Sequence, residues 1–233
     1  MILRFIFYER KMNQELTTNE KRIESCKKRG SLDKRRGHER ETEFNQQFNE
    51  TKVGKIEYKN TSDSSIQEGH EIIPKLKEKF GREIDKYNVS IKGKKSIQFT
   101  LGVIPEISLN DDPMDVTKEE WKIIYEKYLK KVGTSKPSDF LVYKDEEENQ
   151  WIFFYMDDVI HFLVKEVIWR RLKSGRWKGD IKDNSKKGIR QYLTFEFRKN
   201  HKSHFFGING GKGKKFIELL KEKIKYVEYC YNL

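Results

Sequence analysis

The chain has 233 residues, with 49 Lys+Arg against 37 Asp+Glu, a formal net charge of +12, 35% hydrophobic residues and 13% aromatics. That length suits one domain, or one domain with an appendage, and the aromatic content excludes a wholly disordered chain. The two cysteines, Cys26 and Cys230, have no CxxC spacing, which excludes a disulfide framework and a cysteine zinc site.

The apolar opening from Met1 to Tyr8 is broken at once by Glu9, Arg10 and Lys11. It is too short for a signal-peptide core or a bilayer span, so a cytoplasmic chain, or a nuclear one if the organism has a nucleus, with no membrane partner is expected. Residues 9–40 are dominated by charge, including Lys27-Lys28-Arg29 and Lys34-Arg35-Arg36. They predict a basic arm over residues 1–36, flexible or marginally helical. A single domain is expected over 37–233. His38 to Asn49 predicts a helix, with Phe44 and Phe48 on one face. Glu41 lies three before Phe44 and seven before Phe48, which sets it on the same inward face, while Glu43 points elsewhere. A carboxylate on an apolar face is costly unless it is paired or bound.

Lys55 to Tyr58 predicts a short strand, and Asn60 to Ser65 a polar turn. Ile72, Ile73, Leu76, Phe80 and Ile84 have helical periodicity, with Pro74 early enough for a first turn. Val89 to Lys92 and Ser96 to Leu101 alternate about Gly93-Lys94-Lys95, as a β-hairpin or two adjacent strands. Thr117 and Glu120 form a capping box before a helix through Trp121, Ile124, Tyr125, Tyr128 and Leu129. Phe140 to Tyr143 and Trp151 to Tyr155 predict two antiparallel strands joined by the acidic turn Asp145 to Glu148. Asp157 or Asp158 caps a helix through Ile160, Leu163 and Val167. Tyr192 to Phe197 and Phe205 to Ile208 predict strands, and Phe216, Leu219, Leu220 and Ile224 a last amphipathic helix. The expected class is mixed α/β (α+β), a central mixed sheet flanked by helices.

Excess positive charge points first to a phosphate backbone, because bound Lys and Arg release counterions. Trp169 to Lys178 interleaves aromatics with Arg170, Arg171, Arg176 and Lys178, which suits stacking and phosphate contact. Arg198, Lys202 and the pair His201 and His204 add a further basic group, the histidines as phosphate contacts or surface groups. Asn209 to Lys215, with Lys212, Lys214 and Lys215, opens into a helix like a phosphate-cradling loop but lacks the Lys-Ser/Thr ending of a P-loop.

Between Glu41 and Glu106 the residues resemble the PD-(D/E)XK restriction-endonuclease-like family. The matching pieces are Ser62-Asp63, Ser90-Ile91-Lys92 and Glu41, covering about residues 37–106. Ser62 replaces the usual Pro, and Ser90 replaces the acid of the acid-x-Lys. Glu106 is the candidate for the missing carboxylate, and Gln98 for a contact to metal-bound water. Glu57-Tyr58-Lys59 is a rival acid-x-Lys, with no Asp at suitable spacing before it. The resemblance implies a restriction-endonuclease-like fold. Residues 37–110 would form the half with the metal site, and residues 111–233 the half that grips DNA. It implies a type II restriction enzyme that cuts double-stranded DNA with Mg²⁺. Asp63, Lys92, Glu41 and Gln98 would act in catalysis, and Asp63, Glu41 and Glu106 would hold the metal. A homodimer would suit symmetric cutting of two strands. The alternative is a DNA- or RNA-binding protein without catalysis.

Overall fold

The computed structural model describes residues 2–49, 64–81, 87–93, 97–102, 119, 122, 125–129, 131–132, 136–171, 177–182, 189–198, 203–208 and 212–230. Contacts divide the chain into two compact units, Met1–Arg40 and Glu41–Leu233. Helix α1 (Ile2–Phe48) begins far earlier than the expected start near His38 and runs across the expected boundary at 36/37. Glu, Lys, Arg and Gln are good helix formers. Ion pairs one turn apart, Lys28–Glu24 at 2.8 Å and Arg35–Glu39 at 3.4 Å, add about 0.3–0.5 kcal/mol each.

The second unit is built on two five-stranded sheets. The first has the order β1 (Ser64–Ser65), β2 (Asn88–Lys92), β6 (Phe140–Asp145), β7 (Gln150–Tyr155), β12 (Val227–Cys230). It is mixed: β2 and β6 run parallel, and the other neighbours are antiparallel. The second sheet is antiparallel throughout, in the order β3 (Ile97–Gly102), β11 (Ser203–Ile208), β10 (Ile189–Arg198), β9 (Trp177–Lys182), β8 (Val167–Arg171). A small ribbon pairs β4 (Lys131–Val132) with β5 (Lys136–Pro137). Helices α2 (Ile72–Phe80), α3 (Met156–Glu166) and α4 (Gly213–Lys223) complete the fold. The class is the mixed α/β one expected, with a central mixed sheet and flanking helices.

The runs Phe140–Tyr143 and Trp151–Phe154 are apolar without interruption because the first sheet is buried on both faces. Leu141, Tyr143, Ile152 and Phe154 face a core shared with the second sheet, α3 and α4. Phe140, Val142, Trp151 and Phe153 face a second core, where Phe44 and Phe48 of α1 and Ile72, Leu76 and Phe80 of α2 pack. Phe44 stacks on Phe48 at 4.4 Å and meets Trp151 edge-on at 5.3 Å. The acidic turn closes the β6–β7 hairpin as expected, with Asn149 at φ 51°, a left-handed conformation that Asn tolerates. At the other end of β6, the Asn88 N–H donates to Asp139 Oδ2 at 2.9 Å, and the Asp139 N–H donates back to the Asn88 carbonyl at 2.8 Å.

Three expectations change. β2 and β3 are neither a hairpin nor neighbours: Gly93 leaves the first sheet, and β3 pairs with β11 in the second. Ile97 and Phe99 of β3 are buried in the shared core together with Phe206 and Ile208 of its partner β11. The helix through Ile160 stops at Glu166, because the β-branched pair Val167-Ile168 opens β8. Asp157 and Asp158 lie inside its first turn, favourable for the helix dipole, and Tyr155 is the N-cap, without a side-chain cap bond. Strand β12 was missed. The predicted strand at Lys55–Tyr58 and most of the helix from Thr117 fall outside the described residues; its described end, Tyr125–Leu129, is π-helical.

Candidate functional site

Because β2 and β6 are parallel, their carboxyl ends share one edge of the sheet, the usual place for a ligand in open α/β folds. Lys92 ends β2 opposite Tyr143, and Lys144 and Asp145 follow on β6. Residues Glu41–Phe48 of α1 reach the same edge. Phe44 and Phe48 anchor that segment on the sheet, and Glu43 pairs with Lys144, whose side chain is only 11% exposed. The Lys144 ammonium also stands 5.5 Å from the Trp151 ring.

The end of α1 is fixed by polar contacts. The Trp151 indole N–H donates to Gln47 Oε1 at 2.6 Å. His70 Nδ1 accepts the Ile72 N–H at 3.1 Å, so Nε2 carries the proton and donates to the Gln47 carbonyl at 3.0 Å. Asn49 Nδ2 donates to the Ser65 carbonyl and hydroxyl at 3.3 and 3.1 Å. These bonds fix the last residues of α1, and the Glu43–Lys144 pair fixes the helix nearer the carboxyl end of β6.

Lys92 is the perturbed group. Enclosure of its ammonium away from water lowers its pKa to about 8, and the Glu41 carboxylate partly opposes that shift. The ammonium stands 4.4 Å from the Phe99 ring centroid. Glu41 and Lys92, both singled out in the sequence, thus lie within electrostatic range of each other. Ser90, at the acid position of the tripeptide, is buried opposite Leu141, where a carboxylate would be desolvated.

The other expected residues are placed differently. Gln98 is exposed opposite Gly207 in the second sheet, on the face of β3 away from Phe99, so it is not on a strand adjoining Lys92. Asp63, Glu106, Glu57-Tyr58-Lys59, Arg176 and Lys202 lie outside the described residues. Arg170 pairs in register with Lys178, Lys178 with Thr194, Arg171 with Trp177, and Arg198 with Ser203, so this basic cluster is a β-hairpin and its neighbour. Lys212 precedes α4, Lys215 is exposed, and Lys214 pairs with Glu147 of the acidic turn. His204 is buried and stacked on Phe195 at 5.5 Å, which corrects its reading as a surface or phosphate contact.

Sequence reasoning missed Glu43 and Lys144. Glu43 lies off the Phe44–Phe48 stripe, and Lys144 reads as the polar end of a strand, so nothing in either segment signals the pair. Among the described residues no group of three His, Cys, Asp or Glu is placed to hold a metal ion. Of the three expected ligands only Glu41 is described, so these residues alone do not make a Mg²⁺ site. No described helix is long and apolar enough to cross a membrane. Comparison with protein-family models, curated proteins and solved structures finds no match.

Proposed function

We propose that this chain is a metal-dependent endonuclease acting on double-stranded DNA, a cytoplasmic type II restriction enzyme working as a homodimer, with Lys92 and Glu41 in its site. The observation that carries the reading is a desolvated lysine at the carboxyl end of β2, stacked near Phe99 and within electrostatic range of the Glu41 carboxylate. A strongly perturbed group with a defined charge partner is a mark of functional sites. β1 is the antiparallel neighbour of β2, and Asp63 immediately precedes it in the sequence. That order suits the resemblance, which needs an acid before one strand and a lysine on the next. An ammonium partly withdrawn from water is well suited to stabilise charge that develops on a phosphoryl group. Mg²⁺ is the cofactor this reading requires, with Asp63 and Glu106 as its further ligands.

The second reading is nucleic-acid binding without chemistry. It is favoured by the excess of Lys and Arg over Asp and Glu, which phosphate contact alone explains. Incubating purified chain and supercoiled plasmid with Mg²⁺, then with chelator, separates the two. The first reading expects nicking that stops with chelator and is lost in Asp63→Asn. Binding with no nicking at any Mg²⁺ concentration leaves the second.

A further inference from the structure

Two adjoining cavities lie at the other end of the first sheet from Lys92. Phe80 marks the place, packing on Phe140 and Tyr155 at 5.8 and 6.0 Å, and these two face each other where β6 begins and β7 ends. One cavity, of 460 Å³, lies among Phe80, α3 and the end of α4. The other, of 550 Å³, lies between α2 and the start of β12. Lys225 lines both, so the two form one groove.

Lysines dominate its lining: Lys75 and Lys79 from α2, Lys165 from α3, Lys223 from the end of α4 and Lys225 just beyond it, with His161 beside them. All five lysines are exposed. Glu78, Asp158 and Glu166 are the carboxylates present, and Lys165 is 4.0 Å from Glu166. Lys79, Lys165 and Lys223 sit in the last turns of their helices, where a cation is favoured by the dipole alone. That accounts for neither Lys75 nor Lys225, nor for the cavities. Among the described residues Lys75, Lys79, Lys223 and Lys225 have no ion-pair partner, and Lys75 lies 5.9 Å from the Tyr229 ring centroid.

We propose that this groove binds the phosphate backbone of duplex DNA as a second contact surface, separate from the Lys92 site. Lysine is a mobile point charge, and arginine is the residue that grips one oxyanion through a fixed fork. A groove lined by lysines from three elements, with no arginine, suits successive phosphates better than a single anion or a base edge. The proposal rests on the reading that the partner is DNA, but not on hydrolysis.

The test is binding of the full chain to a fluorescent DNA duplex, without Mg²⁺, across a range of salt. In the triple variant Lys75→Gln, Lys165→Gln, Lys225→Gln the slope of log affinity against log salt should fall by about three units. Affinity would then drop about 40-fold less between about 50 and about 200 mM salt. If the triple variant melts early, Lys225→Gln alone should lower the slope by about one. An unchanged slope at an unchanged melting temperature overturns the groove and leaves the nuclease reading standing. A shrunken slope in a chain that never nicks plasmid keeps the groove and removes the nuclease. A third arm uses pyrophosphate. If it binds the wild type but not the triple variant, while the DNA slope is unchanged, the cavity is a small-anion pocket and the proposal fails.

Discussion

The Lys92 ammonium stands 4.4 Å from the ring centroid of Phe99, although the two residues belong to strands of different sheets. An aromatic face is attractive to a cation, yet it replaces water only in part. Desolvation therefore wins, and the lysine pKa falls to about 8. The folded value is below the unfolded value of about 10.4, so the unfolded chain binds more protons between these two pH values. The cost of burying the charge is fully present below pH 8 and is relieved as pH rises toward the unfolded value. It is at most about 3 kcal/mol. Lys92→Met should thus melt no lower than wild type at pH 7 and should flatten the rise of stability above pH 8. On the proposed function the same variant should bind DNA and fail to cut it. Wild-type cleavage by Lys92→Met would remove Lys92 from the site.

Glu43 and Lys144 form a pair that is mostly shielded from water. Breaking such a pair leaves one charge uncompensated and costs more than the pair itself contributes. Glu43→Gln and Lys144→Met should each destabilise by about 1–3 kcal/mol, and the double variant by less than the sum. Urea melts of the four proteins measure this, and strict additivity would mean that the two side chains do not interact.

Gly207 lies where β11 passes β3. A Cβ there would come within 2.6 Å of the Ile97 carbonyl oxygen, which is backbone and cannot step aside. Gly207→Ala should cost more than about 2 kcal/mol through strand displacement. At Gly179 the nearest atom is Val167 Cγ1 at 2.7 Å, a side chain, so Gly179→Ala should be the milder of the two. Thermal melts that rank them the other way would contradict this geometry.

Lys214 is held by Glu147, and the hydrogen bond to that carboxylate raises the lysine pKa. If the loop before α4 grips phosphate, the acidic turn competes with DNA for it. Glu147→Gln should then strengthen DNA binding at low salt and steepen the salt dependence. Equal affinity for the two proteins would mark Lys214 as a partner of the turn alone.

What could be read from the sequence was whatever depends on local periodicity. The β6–β7 hairpin, α2, β10, β11, α4 and the inward face of Phe44 and Phe48 all follow from spacing within a dozen residues. Sheet membership does not. Val89–Lys92 and Ile97–Leu101 alternate alike, and only the long-range partners β6 and β11 show that they belong to different sheets. The same limit explains the site. Glu41 was found because a charge on an apolar face stands out locally, and Lys92 because it ends a strand in the position of the family's acid-x-Lys. Glu43 and Lys144 were missed because neither residue breaks its own segment's pattern. The start of β8 was missed for another reason: Val167 continues the helical spacing of Ile160 and Leu163, so a strand beginning there reads as the end of a helix.

The clasp between Asn88 and Asp139 joins residues 51 positions apart in the chain. Hairpins such as β6–β7 close over a few residues, but β2 must wait until a long excursion has returned to bring β6 alongside it. Loop closure on that scale is entropically costly and slows non-local pairing. That cost predicts an order of assembly: β6–β7 first, β2 late, and with β2 the approach of Lys92 to Glu41. Pulse-labelled hydrogen exchange during refolding should protect the Phe153 amide before that of Ile91. On that order the charge at Lys92 is withdrawn from water late in folding, after the β6–β7 hairpin on which β2 docks.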